Sequence, residues 1–231
     1  MLENLDFYNH NIIPVHIGGS EFYITTTIVN TWIIMAVLLG LALIVRILIH
    51  RFEEIPKGFQ NVIELLVEVF YSFTATTMGE NNKGFAPFYG SMFLFILLAN
   101  LSGLVGLRPP TADLATTLAL ALITFFMIQG YGLRDKGIVN YVKGFFEPIP
   151  LLFPLNVIGE LANPVSLSFR LFGNILGGTI IMALWYAMPW IPVKIGIPAF
   201  LHAYFDVFAG VLQTFIFVML SMTFVSSAMD S

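Results

Sequence analysis

The sequence contains no cysteine and little charge. Without cysteine there are no disulfides, no Cys-ligated zinc, no iron–sulfur cluster and no thiol catalysis. Only 10% of its 231 residues are Asp, Glu, Lys or Arg, against roughly 25% in an average soluble domain. The four histidines, His10, His16, His50 and His202, are scattered without metal-ligand spacing, so no metal and no cofactor are expected. No glycine-rich loop ends in Lys-Ser/Thr, which excludes a P-loop nucleotide site. The first 45 residues have no Lys or Arg, so a removable secretory leader is not expected. A net charge of -4 offers no basic field, and no nucleic-acid partner is expected. What is abundant is apolar: 58% of the residues are hydrophobic and the mean hydropathy is +0.87. A soluble chain of this length could not hide so much apolar surface.

A spanning helix needs about 20 apolar residues. Charge-free runs of that length occur at Phe22–Val45, Phe85–Leu107, Leu114–Leu133, Leu171–Val193 and Val207–Met229. The chain is therefore expected to be an all-α membrane protein with five spans. Residues 1–27 form an external segment, 28–49 the first span and 85–133 a helical hairpin turned at Arg108-Pro109-Pro110. Residues 151–229 form two long helices. Residues 53–78 differ. Glu53, Lys57, Asn61, Glu64 and Glu68 recur every three or four positions, opposite Phe59, Val62, Ile63, Leu66, Phe70 and Phe73. That pattern predicts an amphipathic helix along the cytoplasmic membrane surface.

Basic residues set the orientation. Arg46, Arg51, Lys57, Lys83, Arg134, Lys136 and Lys143 fall on one side, and only Arg108 and Lys194 on the other. The first group marks the cytoplasm. The N-terminus, with Glu3, Asp6 and Glu21, is then outside and the C-terminus inside. Trp32, Tyr89, Tyr131, Tyr186 and Trp190, near span ends, read as interfacial anchors. The last two apolar stretches, Leu151–Trp190 and Pro198–Met229, exceed a bilayer: as helix the first would measure roughly 60 Å against a hydrocarbon core about 30 Å thick. Strong tilt is expected; the alternative is a break at Asn163-Pro164.

Arg170 carries the strongest chemical signal. It lies inside an apolar stretch and its nearest acid, Glu160, is ten residues away. Arginine cannot lose its proton at working pH, and placing it at a helix centre costs about 2.5–3.5 kcal/mol on insertion scales. It therefore needs a partner or water; snorkelling from a helix end is the alternative. Ser166, Arg170, Asn174 and Gly177-Gly178 share one helix face that is small and polar, suited to a passing helix or to packing within the chain. His202, Asp206, Gly210 and Gln213 form a second stripe. An imidazole and a carboxylate four residues apart suit a proton relay or aqueous half-channel, or a structural hydrogen bond near the surface. Glu160 is an intramembrane acid or a helix N-terminal charge. Asn100 with Ser102, and Thr116 with Thr117, place polar groups in spans two and three, and Asp113 and Gln129 are weaker signals.

The run Pro-Val-Ser-Leu-Ser-Phe-Arg-Leu-Phe-Gly-Asn, Pro164–Asn174, followed by Gly177-Gly178, resembles subunit a of F-type ATP synthases. Leu212–Leu220 and Ala99–Gly106 support the resemblance, which covers essentially the whole chain. It implies a membrane stator, not an enzyme on its own, whose long tilted helices clasp a ring of c subunits. It implies that Arg170 faces the ring and meets the ring's carboxylate. Asn174 and Gln213 match polar positions near that arginine, and Asn100 a position lining the ion path. The expected setting is a bacterial plasma membrane, with lipid and the b subunits of the peripheral stalk as further partners. Some family members carry an acid nine residues after the arginine and a His in the last helix; here those positions are Thr179 and Asp206. The swap makes Asp206 the expected group of the outer half-channel. A self-contained channel or secondary transporter and a non-transporting scaffold are the rival classes. The transporter predicts internal repeats, and none stands out.

Overall fold

The computed structural model describes residues 11–17, 20–147, 149–187 and 196–230. The acidic residues Glu3 and Asp6, the anchor Trp190 and the basic Lys194 lie outside the described residues. The chain opens with an antiparallel hairpin, β1 (Asn11–Ile17) and β2 (Ser20–Thr25), with Val15 opposite Phe22 and a register irregularity between Asn11 and Ile13. It then becomes helical: α1 (Thr26–Leu48), α2 (Phe59–Met78), α3 (Ala86–Leu101), α4 (Leu114–Gly144), α5 (Phe153–Ala187), α6 (Ile197–His202) and α7 (Ala209–Asp230). A π-helical turn, Ala203–Phe208, joins α6 to α7, so that Ile197–Met229 is one rod of 33 residues. Among the described residues, five stretches are long and apolar enough to cross a membrane: Thr26–Leu48, Glu80–Val105, Leu114–Gly144, Pro150–Ala187 and Ile197–Met229.

The core is built where α3, α4, α5 and α7 meet. Tyr89 and Ile96 of α3, Ala121 and Ile128 of α4, Leu167, Leu171 and Ile175 of α5, and Phe217, Val218, Met222 and Val225 of α7 are buried together. Small residues let the rods approach. A Cβ on Gly210 would stand 3.3 Å from that of Asn100, and one on Gly178 3.4 Å from that of Phe205. Polar groups cross the same contacts in pairs: Thr124 Oγ1 and Ser221 Oγ are 2.7 Å apart. Much of the outer surface is apolar. In α1 only Thr27, Asn30 and Ile34 are buried, and Trp32, Leu39, Leu43 and Ile47 are more than half exposed. An exposed surface of that kind is stable against lipid rather than water.

Two expectations meet a different outcome, and one alternative is excluded. Helix α2 begins at Phe59, not at residue 53. Pro56 lies in the preceding loop, which the Gln60 side chain closes by accepting from Glu53 N (3.0 Å) and donating to Glu53 O (2.7 Å). The apolar side of α2 is divided: Phe70 packs edge-on against Phe93 and Phe73 stacks on Phe215, whereas Phe59, Val62 and Leu66 are exposed. Finally, α5 does not break at Asn163-Pro164. It runs unbroken for 35 residues with Pro164 inside, roughly 52 Å of helix. The proline removes the N–H that would bond to the carbonyl of Glu160 one turn earlier, and its buried ring is held by the core.

Candidate functional site: an exposed arginine with cavities on either side

Helix α5 has two faces. Leu167, Leu171, Ile175, Gly178 and Met182 point inward and are buried. Ser166, Phe169, Arg170, Gly173 and Asn174 point outward and are exposed. The Arg170 guanidinium has no hydrogen bond or ion pair to any other described residue. Asn174 Nδ2 donates to Gln213 Oε1 at 2.6 Å, tying the strip to α7. Gln213 is buried and its Nε2 has no partner among the described residues. The strip thus carries one permanent cation on a surface of small and apolar side chains.

Beyond Arg170 toward the C-terminal end of α5 lies a cavity of about 300 Å³. Leu176, Thr179 and Met182 wall it from α5, the loop Gly103–Pro109 from the hairpin turn, and His202 and Asp206 from the last rod. His202 Nδ1 and Asp206 Oδ2 are hydrogen-bonded, and Tyr186 Oη meets His202 Nε2 at 2.9 Å. The π-helical turn sets this arrangement. Its extra residue per turn shifts the register of the rod. His202 and Asp206 line the cavity, whereas Gly210 packs on Asn100 and Gln213 meets Asn174. The four residues thus meet three different surroundings along the rod. Arg108 also lines the cavity, and its Nη1 is buried without a hydrogen-bond partner among the described residues. Asn30 Nδ2 of α1 fixes the loop by donating to the Arg108 carbonyl at 2.9 Å.

Toward the N-terminal end of α5 lie two more cavities, of about 530 Å³ and 240 Å³. Lys136, Tyr141, Glu160 and Asn163 wall both. The larger adds Asn140, Glu147 and Asn156; the smaller adds Phe224 and Ser227 from α7. Glu160 accepts a hydrogen bond from Gln129 Nε2 at 3.3 Å. Counted along α5, Glu160 lies about 15 Å to one side of Arg170 and Thr179 about 14 Å to the other.

Asn100 sits apart from both regions. It is 2% exposed. Its Nδ2 donates to Gly210 O (2.9 Å) and Thr214 Oγ1 (3.0 Å), and its Oδ1 accepts from Thr111 Oγ1 (2.7 Å). Both ends of the amide are used to hold α3 to α7 and to the hairpin turn.

The family model of the ATP synthase A chain matches residues 28–226. The chain belongs to that family. It is 40% identical over 214 residues to the ATP synthase subunit a of Moorella thermoacetica, covering 92% of this chain and 93% of the relative. It is 35% identical over 227 residues to the sodium ion specific ATP synthase subunit a of Propionigenium modestum, covering 91% of this chain and 76% of the relative. Members of the subunit a family are the ion-translocating membrane component of the ATP synthase, and the subunit alone is not catalytic. With five apolar helices, this member is a multi-pass membrane protein that assembles into that complex.

Sequence reasoning singled out Arg170, Asp206, His202, Asn174 and Gln213, and the fold brings the last two into contact and the middle two into one cavity. Tyr186 reads from the sequence as an interfacial anchor, Arg108 as part of a turn and of the charge asymmetry, and Gln129 as a weak signal. Arg108 had a usable signal: it is the one basic residue between the second and third spans.

Proposed function

We propose that this chain is the stator of a rotary motor, presenting two offset aqueous half-channels to a ring of c subunits so that proton flow turns the ring. The observation that carries the proposal is the position of Arg170. It stands exposed on α5 with no partner among the described residues, and a cavity lined in part by ionisable side chains lies on each side of it along the same helix. A cation exposed on an apolar strip calls for a carboxylate on a partner, and the small side chains beside it give that partner close approach.

The roles follow from the chemistry. A fixed positive charge between the half-channels repels a proton that would hop straight across, so each ring carboxylate must shed its proton before passing. Lysine could neutralise itself on burial; arginine cannot. Asp206, hydrogen-bonded to His202, exchanges protons with the ring from the outer cavity. Glu160 serves the cavities on the other side. Asn174 and Gln213 hold the strip beside Arg170, and Ser166 keeps it narrow. Asn100 acts through packing, by fixing α3 against the rod that carries Asp206. The long rods α5 and α6–α7 cross the bilayer at a strong tilt, α2 lies on the cytoplasmic surface, and the remaining apolar faces meet lipid and the b subunits of the peripheral stalk. The seven-to-two basic asymmetry places the N-terminus outside a bacterial plasma membrane and the C-terminus inside. A proton entering down the potential releases about 2.3 kcal/mol per 100 mV, which the geometry converts to rotation only if the two cavities never join.

Asp206→Asn tests the outer role. Inverted membrane vesicles carrying the assembled complex should lose most ATP-driven acidification while retaining ATP hydrolysis. Acidification at the parental rate would remove Asp206 from the path.

A further inference from the structure

Around Glu160 the structure contains a device that the stator reading does not use. At Gly137 helix α4 bends: φ is +73° and ψ 155°, a conformation that side-chain-bearing residues rarely adopt. The bend returns residues 138–144 against the body of the helix. Asn156 of α5 pins the end of the segment, donating to Phe145 O (2.9 Å) and Glu147 O (3.1 Å). Tyr141 is thereby laid over bare backbone at Gly132, where a Cβ would stand 3.0 Å from its ring. Its hydroxyl donates to Gln129 Oε1, and Gln129 Nε2 donates to Glu160 Oε2. The result is a phenol–amide–carboxylate chain across the wall shared by the two Glu160 cavities.

The polarity of this chain is set by its chemistry. An ionised carboxylate only accepts, so the amide must turn its NH2 toward Glu160 and its oxygen toward the phenol. The phenol donating to that oxygen opposes the flipped orientation. An amide does not titrate, so Gln129 cannot pass a proton as an imidazole or carboxylate does; it can only hold its neighbour. We propose that Gln129 and Tyr141 are positioning residues for the ion path: the phenol fixes the amide, and the amide fixes the Glu160 carboxylate between the two cavities. The proposal rests on the reading of Glu160 as the acid of that half-channel. The other groups that face Glu160 are Lys136 from α4, Glu147 from the following loop, the neutral Asn156 and Asn163 from α5, and Ser227 from α7.

The test uses the assembled complex in inverted vesicles, with ATP-driven acidification followed across pH and subunit content checked in each membrane. Gln129→Leu and Tyr141→Phe should each lower the rate several-fold and displace the pH profile of the rate, because each frees the carboxylate from its fixed hydrogen-bond neighbour. Gly132→Ala, which displaces the Tyr141 ring without touching Glu160, should move the profile the same way. The double variant should be no worse than Gln129→Leu alone, as expected for groups acting in series. Profiles that stay in place, whatever happens to the rate, or additive losses in the double variant, would overturn the proposal. Arg170→Ala in the same vesicles separates the two readings. If it abolishes pumping while Gln129→Leu and Tyr141→Phe keep the parental profile, the positioning role alone is wrong. If pumping survives Arg170→Ala, the stator reading fails first.

Discussion

Replacing Asn100 by leucine asks whether this buried amide holds the rods together or carries ions. The substitution keeps the approximate volume and deletes three hydrogen bonds. Two partners survive the loss. Thr214 Oγ1 still donates to Gly210 O at 2.8 Å, and Gly210 O still has that donor. Thr111 does not: its side chain is fully buried and its hydroxyl has lost its acceptor. An orphaned buried donor costs about 1–3 kcal/mol, and interhelical hydrogen bonds within membranes contribute about 0.6 kcal/mol each. The expected loss is about 2–4 kcal/mol. Adding Thr111→Val removes the orphan and should restore about 1–2 kcal/mol of it. Heating the detergent-solubilised complex and following release of this subunit measures both steps. A packing role predicts a lower release temperature for Asn100→Leu, partial recovery in the double variant, and pumping in proportion to the subunit retained. A release temperature equal to the parent's, with pumping lost, would refute the packing argument and return Asn100 to the ion path.

Two further outcomes follow from the cavity geometry and the charge balance. Thr179 and Asp206 wall the same cavity, so Thr179→Glu should restore part of the pumping lost in Asp206→Asn; no recovery in an assembled complex would mean that the two positions do not serve one water path. With proton coupling, ATP-driven acidification should run at the same rate with or without sodium in the buffer, whereas ATP-driven sodium uptake that replaces acidification when sodium is added would reassign the ion.

The spans were legible because hydropathy over 20 residues is a coarse and additive signal, and Arg170 was legible because a permanent charge in an apolar run has no cheap explanation. The hairpin Asn11–Thr25 was legible too, since Gly18-Gly19 separates two runs rich in β-branched and aromatic residues; attention to long apolar windows passed over it. Other features depend on tertiary context. Nothing in Ala-Tyr-Phe-Asp-Val-Phe, residues 203–208, announces the π-helical turn that carries Asp206. Pro164 reads locally as a break, and the packed core overrides it. The partners of Asn100 lie 11, 110 and 114 residues away, and those of Gln129 lie 12 and 31 away, so neither network could be read from spacing.

If Arg170 keeps the two half-channels apart, proton movement through complexes carrying Arg170→Ala should reveal it. Vesicles with the variant assembled to parental levels would be compared for ATP-driven acidification and for passive proton leak under an imposed potential. Pumping should be lost and leak should rise, because nothing then repels a proton crossing between the cavities. Parental pumping with no added leak would contradict it, and would leave the arginine as a structural residue on an exposed strip.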